Sequence, residues 1–292
     1  MDAGQTHWKK VKDASSAKTA KQNLGQNIEV LILLVKDLVN KNYPLLYVDD
    51  LATKARAILR IQGLRVIPVI DDQKRLVGTI SRTNAMAITS SISPIKVKGI
   101  MANPKFIASS DMITLDALQE MIRSDEWCVP VTKSSQDFSY IGMLDLSAFI
   151  RDLLKQNSPK LSYPLSKIMS TKLAICCPED EVDKVWRFMQ EKSLAGCPVV
   201  KNGRLVGIVT QQDMLSSGAS FPTFESKKGR FKSPSKIASI MKTSIVSLKS
   251  TATIQEAAKL MLEKNIGRIP IVDEKTNLVG IVDREDIARL IL

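Results

Sequence analysis

Histidine is almost missing: the 292-residue sequence has one, His7, in a polar, lysine-rich stretch. The main body of the chain therefore lacks the commonest metal ligand and the commonest general base. Cysteine is also scarce. Cys128, Cys176, Cys177 and Cys197 follow no C-x-x-C spacing, so no metal centre is expected, and they read as small apolar residues of an intracellular protein. Aromatic residues make up 5% of the chain, which leaves a core of Ile, Leu, Val, Ala and Met. No apolar run approaches the ~18–20 residues of a membrane helix. The nearest, Ile28 to Val39, reads as a helix and is interrupted by Glu29, Lys36 and Asp37. No apolar segment followed by a cleavage site marks a secretory signal, so a cytoplasmic location is expected. A phosphate-binding P-loop and a Ser/His/Asp set are lacking too, and the chain is expected not to be an enzyme.

Positive charge is abundant. The formal balance is +12, with 42 Lys and Arg against 30 Asp and Glu. Part of it is local: Lys9, Lys10, Lys12, Lys18 and Lys21 lie in a basic leader (residues 1–25), and Lys227, Lys228, Arg230 and Lys232 lie in a loop (217–235). Phe221, Phe224 and Phe231 are interleaved with the second group, a pattern that could stack on single-stranded bases. A solubilising tail and a partly packed loop are the preferred readings of the two stretches, and no helix carries a long basic stripe. Nucleic acid is kept as an alternative partner.

The chain repeats itself. In its last copy Ile240-Met241 leads to Ile245-Val246-Ser247-Leu248, then a helical segment Thr253 to Lys264, Arg268-Ile269-Pro270-Ile271-Val272, a turn, and Leu278-Val279-Gly280-Ile281-Val282-Asp283. Thr253 and Glu256 form a capping-box pattern. Ala257, Leu260 and Met261 give the helix one apolar face. Lys275-Thr276-Asn277 between two apolar runs predicts a hairpin. Three earlier copies keep the order: Ile67-Pro68-Val69 then Val77-Gly78-Thr79, Val129-Pro130-Val131 then Ile141-Gly142-Met143, and Cys197-Pro198-Val199 then Val206-Gly207-Ile208. Each copy reads strand, helix, strand, hairpin, strand, helix. A unit of about 60 residues buries too little surface to be stable alone, so pairing of sheets is expected.

In register, the four copies resemble cystathionine-β-synthase (CBS) repeats from about Gln26 to Leu292. The resemblance implies an α/β chain, α+β in stricter terms, with β-α-β-β-α repeats at 26–92, 95–155, 163–216 and 236–292. A linker at 156–162 separates two tandem CBS pairs (Bateman modules), expected to pack as a disc within one chain or in a homodimer. It implies a non-catalytic sensor of AMP, ADP or ATP, with S-adenosylmethionine as an alternative ligand. The response would pass to an unidentified effector protein, since no effector domain is fused to these repeats.

After the third strand each copy reads Gly-apolar-apolar-X-x-x-Y. A hydroxyl at X can donate to a phosphate or ribose oxygen, and a carboxylate at Y can accept from ribose hydroxyls at a helix start. The glycine is read as letting a ligand approach the backbone. Thr210 and Asp213 give the full family pattern. Asp283 and Asp286 put a second carboxylate at X, with Arg284 beside it. Ser81 and Asn84, with Arg82 between, offer an uncharged acceptor. Asp145 and Ala148 lack the acceptor, and that site is expected to be empty or altered. By resemblance Arg268 is the residue that reaches phosphate; its counterparts are Val66, Cys128 and Gly196, so only the last repeat is expected to supply this cation. Gly196, Cys197, Pro198, Ile269 and Pro270 belong to the same candidate segments. Thr171, Lys172 and Leu173, with Thr243, Ser244 and Ile245, are expected to border the adenine. The second pair of repeats is the first choice for occupancy.

Overall fold

The computed structural model describes residues 33–86, 88, 92–217 and 235–292. The leader and nearly all of the 217–235 loop, with the nucleic-acid readings placed on them, lie outside the described residues.

Each repeat is built on one hairpin. In the first, Val66–Ile70 (β2) and Leu76–Ser81 (β3) run antiparallel, and Leu46–Tyr47 (β1) adds in parallel to β2. In the second, Cys128–Thr132 (β5) and Tyr140–Asp145 (β6) pair, with Ala108–Ser109 (β4) parallel to β5. Gly196–Lys201 (β7) pairs with Arg204–Thr210 (β8), and Arg268–Val272 (β9) with Leu278–Asp283 (β10). In these last two repeats the expected first strand contracts to single parallel bridges, Cys176 to Val199 and Leu248 to Ile271. The Ile245-Val246-Ser247 run is not strand. The expected helix Ile28 to Val39 is, among the described residues, one turn, Val35–Leu38. Its flanks are drawn into extended bridges with the second repeat, Leu34 to Ile113 and Asn40 to Met143, which leaves too few residues to continue a helix.

The long helices match the periodicity: Ala52–Gln62, Thr114–Arg123, Val182–Glu191 and Ile254–Glu263. Thr253 caps the last of these through its side chain, and Glu256 returns the bond at 2.7 Å.

Two kinds of contact close the four repeats of one chain into a ring. Within each pair, the lead-in segment of one repeat crosses the third strand of the other: Thr79 bridges Ala102, Asn40 bridges Met143, Ile208 bridges Lys242 and Ser170 bridges Ile281. The recurrent glycine sits under this crossing. A Cβ on Gly142 would lie 2.4 Å from the Asn40 carbonyl oxygen. One on Gly207 or Gly280 would lie 2.7 Å from the sulfur of Met241 or Met169, and one on Gly78 3.1 Å from that of Met101. The glycine therefore admits the partner repeat's lead-in, Val39-Asn40 at Gly142 and the Ile-Met step at the other three; the reading that it makes room for a ligand is corrected. Between pairs, helices do the joining. One buried cluster merges Leu59, Ile67 and Met86 of the first repeat with Val185, Met189 and Met214 of the third. Another joins Ile150 and Leu153 of helix Leu146–Lys155 to Ile254, Met261 and Ile287 of the fourth.

Candidate functional site

Strands β2, β5, β7 and β9 all begin at one place, a cavity lined by the residues just ahead of them. The residue immediately ahead of the predicted Arg268 position is Arg65, Trp127, Ala195 and Gly267 in the four repeats. All four line one cavity of about 530 Å³, to which every repeat contributes. Two large residues face two small ones. A Cβ on Gly267 would stand 3.0 Å from Trp127 Cζ3 and 3.3 Å from Arg65 Nη2. Trp127 is anchored in the second repeat's core.

The cavity is strongly cationic. Arg65, Arg82, Arg151, Lys242, Arg268 and Arg284 line it, against one carboxylate, Asp145. Arg82 is held by the carbonyls of Leu64 at 2.8 Å and Gly63 at 2.5 Å. Arg268 donates to the Gly196 carbonyl at 2.6 Å, which ties the fourth repeat to the third. Arg284 reaches Met261 and Asn265, yet its buried Nε has no partner among the described residues. Gln212 donates to the Arg60 carbonyl, joining the third repeat to the first, and its buried Oε1 has no partner among the described residues. Arg65 lies over the Trp127 ring at 3.8 Å, with Arg268 at 5.6 Å from the same ring. Burial, then the charges of Arg268, Arg82 and Arg284, push the Arg65 guanidinium down to about 9. Burial likewise pushes Arg82 to about 10. Packing like charges together away from water is unfavourable unless a counter-charge arrives.

Of the sequence-derived candidates, Thr210, Ser244, Ile245, Arg82, Arg268 and Arg284 line this cavity. The X and Y residues bond to one another. Thr210 donates its hydroxyl to Asp213 Oδ2 at 2.6 Å and its N–H at 2.9 Å, while Lys242 sits 3.2 Å from the other oxygen. Ser81 treats Asn84 the same way, at 2.7 and 2.9 Å. Asp286 accepts from the Asp283 N–H, and Asp283 accepts from Glu285 and Asp286. Burial and the Asp283 charge push the Asp286 carboxyl up to about 7. Asp145 caps Ser147 at 2.6 Å. These helix starts are thus closed by their own side chains. Cys197 and Ile269 are fully buried core residues whose side chains offer a ligand no surface. Pro198 and Pro270 are buried beside them in β7 and β9. Thr171, Lys172, Leu173 and Thr243 do not line the cavity. The lead-in that borders Thr210 is that of the fourth repeat, Lys242 to Val246, and the one that crosses β10 comes from the third, at Ser170.

Of the four equivalent positions, Val66, Cys128, Gly196 and Arg268, only the last carries a cation, but the fourth repeat is not alone in placing one close by. The first supplies Arg65, one residue earlier, and the two guanidinium groups share one indole. Arg65, Trp127, Lys242, Arg151 and Gln212 were not candidates. Aligning the residue two places before each apolar-Pro-apolar step brings Arg65, Trp127, Ala195 and Gly267 into register, with no common chemistry to mark them as a set.

Among the described residues no helix is long and apolar enough to cross a membrane, and no group of three or more His, Cys, Asp or Glu stands ready for a metal. Protein MJ1225 of Methanocaldococcus jannaschii is 22% identical over 282 residues, covering 89% of this chain and 99% of its own. Its crystal structure, that of a protein proposed to be an archaeal homologue of γ-AMPK, superposes with a TM-score of 0.78 at 20% identity, again over 89% of this chain, and shows the same fold. CBSX2, a chloroplastic CBS domain-containing protein of Arabidopsis thaliana, is 26% identical over 74% of this chain and 95% of its own length. A homoserine O-acetyltransferase of Methanococcoides burtonii is 32% identical over 189 residues, 61% of this chain, which span 36% of that enzyme. The CBS domain model matches residues 35–89, 165–220 and 237–292, and with more than half of its length so matched, the chain belongs to the CBS domain family.

Proposed function

We propose that this chain is a regulatory binding module for an adenine nucleotide, AMP, ADP or ATP, and that it reports cellular energy state to a separate effector protein in the cytoplasm. The observation that carries the reading is the cavity shared by all four repeats, where six cations face one carboxylate. Such a lining suits phosphate. It disfavours S-adenosylmethionine, whose sulfonium would add to the positive charge. The nucleoside end is placed in the crevice between β8 and the Lys242–Val246 segment, which opens into the same cavity. There Thr210 and Asp213 would exchange their mutual bond for ribose and phosphate oxygens. Binding would act without catalysis, by changing how the two pairs sit on the cavity, and an effector that distinguishes the two arrangements would complete the signal.

Calorimetric titration with AMP, ADP, ATP, S-adenosylmethionine and a short oligonucleotide tests this. The nucleotides are expected to bind and S-adenosylmethionine to bind far more weakly. Asp213→Ala and Arg268→Gln should each weaken nucleotide binding at least tenfold with the fold retained by circular dichroism. Oligonucleotide binding that falls steeply with salt and survives Asp213→Ala would instead favour a nucleic-acid partner.

A further inference from the structure

The cavity raises a question that charge alone does not answer: what holds two guanidinium groups from opposite pairs in view of a ligand before the ligand is there. The Arg65 side chain makes no hydrogen bond or ion pair among the described residues, although its backbone carbonyl accepts from the Arg82 N–H at 3.2 Å. Its contact is with the Trp127 face, at 3.8 Å. Stacking of this kind uses the flat face of the guanidinium. Its five N–H groups lie in the plane and stay free to grip oxygen anions in pairs. A carboxylate partner would hold the arginine equally well and consume those donors. Trp127 is itself rigid: it is 9% exposed and packed in the second repeat's core, and Gly267 is small enough to let it reach the centre. Arg268 approaches the same ring, so one indole from the first pair of repeats attracts a cation from each pair.

We infer that Trp127 is a positioning residue for a polyphosphate. It presents Arg65 with its donors unused, so that a di- or triphosphate chain reaching in from the Thr210 crevice meets cations of both pairs. A di- or triphosphate carries more negative charge and more oxygens than a monophosphate, and so engages more of these cations. The site thus prefers ATP and ADP to AMP, and the preference resides in the Arg65–Trp127 stack. This inference rests on the nucleotide reading above and adds to it the phosphate number and the residue that sets it.

The test is calorimetry on the full chain with adenosine, AMP, ATP and inorganic tripolyphosphate, for wild type, Trp127→Leu, Trp127→Phe and Arg65→Lys. Wild type is expected to bind ATP tighter than AMP and AMP tighter than adenosine. Trp127→Leu should lose about tenfold for ATP and tripolyphosphate, leave adenosine unchanged, and narrow the gap between ATP and AMP. Trp127→Phe, which keeps a ring face, should recover most of the loss. Arg65→Lys, which keeps the charge and discards the planar fork, should not. Trp127→Leu binding ATP as wild type does, or losing adenosine and ATP in equal measure, would overturn the inference while leaving nucleotide binding intact. Wild type binding neither ATP nor tripolyphosphate would overturn both.

Discussion

Asp286 is where the sequence pattern and the local energetics conflict. The start of the last repeat's closing helix carries a carboxylate at X as well as at Y, and the second is partly withdrawn from water, so its carboxyl is pushed up to about 7 by burial and by Asp283. A carboxyl whose folded pKa lies above its unfolded value contributes stability that is fully present below about pH 4 and is lost as pH rises through 7, because between those limits the folded state binds the extra proton. Asp286→Asn keeps an oxygen for the Asp283 N–H and has no charge to desolvate. It should raise the melting temperature at pH 8, and its advantage over wild type should shrink as pH falls to 5.5, by about 1–2 kcal/mol. Equal gains at both pH values would show that the charge is not what is being relieved. Thr210 and Asp213 could be picked out from their fixed place in the repeat, and Arg268 from the family resemblance. Arg65 and Trp127 could not, because their position changes chemistry in every copy, from Arg to Trp to Ala to Gly. Lys242 stayed hidden for another reason: the carboxylate it meets, Asp213, belongs to a different repeat.

At the scale of the element, helices and hairpins were legible and first strands were not. Helix Ile254–Glu263 owes its start to a local capping box, so its limits follow from neighbouring residues; Thr253→Ala should cost about 1 kcal/mol in denaturant unfolding. The lead-in segments answer to non-local partners. They cross the third strand of the paired repeat, and what survives of the first strand is one or two residues. Among the described glycines, Gly142, Gly207 and Gly280, beneath three of the four crossings, carry the tightest local constraint. In Gly142→Ala the new methyl would meet the Asn40 carbonyl oxygen at 2.4 Å and Val39 Cγ2 at 2.8 Å, backbone and a stiff branched side chain that cannot simply turn away. The variant should lose about 2 kcal/mol or more. Gly63→Ala makes the contrasting case: nothing lies within 4 Å, and only the φ of +65° resists it, so a loss near 1 kcal/mol is expected. A Gly142→Ala loss no larger than that of Gly63→Ala would mean the crossing is looser than the geometry implies.

At the scale of the whole molecule, the sequence divides the chain at residues 156–162, and the packing does not respect that division. Sheets join the first repeat to the second and the third to the fourth, while the buried side chains of the first merge with those of the third in one cluster. Nothing in a linear pattern says which apolar helix face will meet which, so this second set of contacts, and the cationic cavity it encloses, emerges only when the ring closes. The consequence is cooperative unfolding. If the pairs were independent, calorimetry would resolve two transitions, and Leu59→Ala in the first repeat would move only one of them. With Leu59 and Met189 both fully buried in the shared cluster, removing either side chain strips contacts from both pairs at once. Each substitution, to Ala, should cost about 2–5 kcal/mol and shift a single transition of the full chain. Because the cavity is lined from both sides, saturating nucleotide should then raise that same transition as a whole, by the amount its affinity for the folded state dictates. A ligand that stabilised only half of a split transition would place the site within one pair and return the cavity to the role of a packing gap.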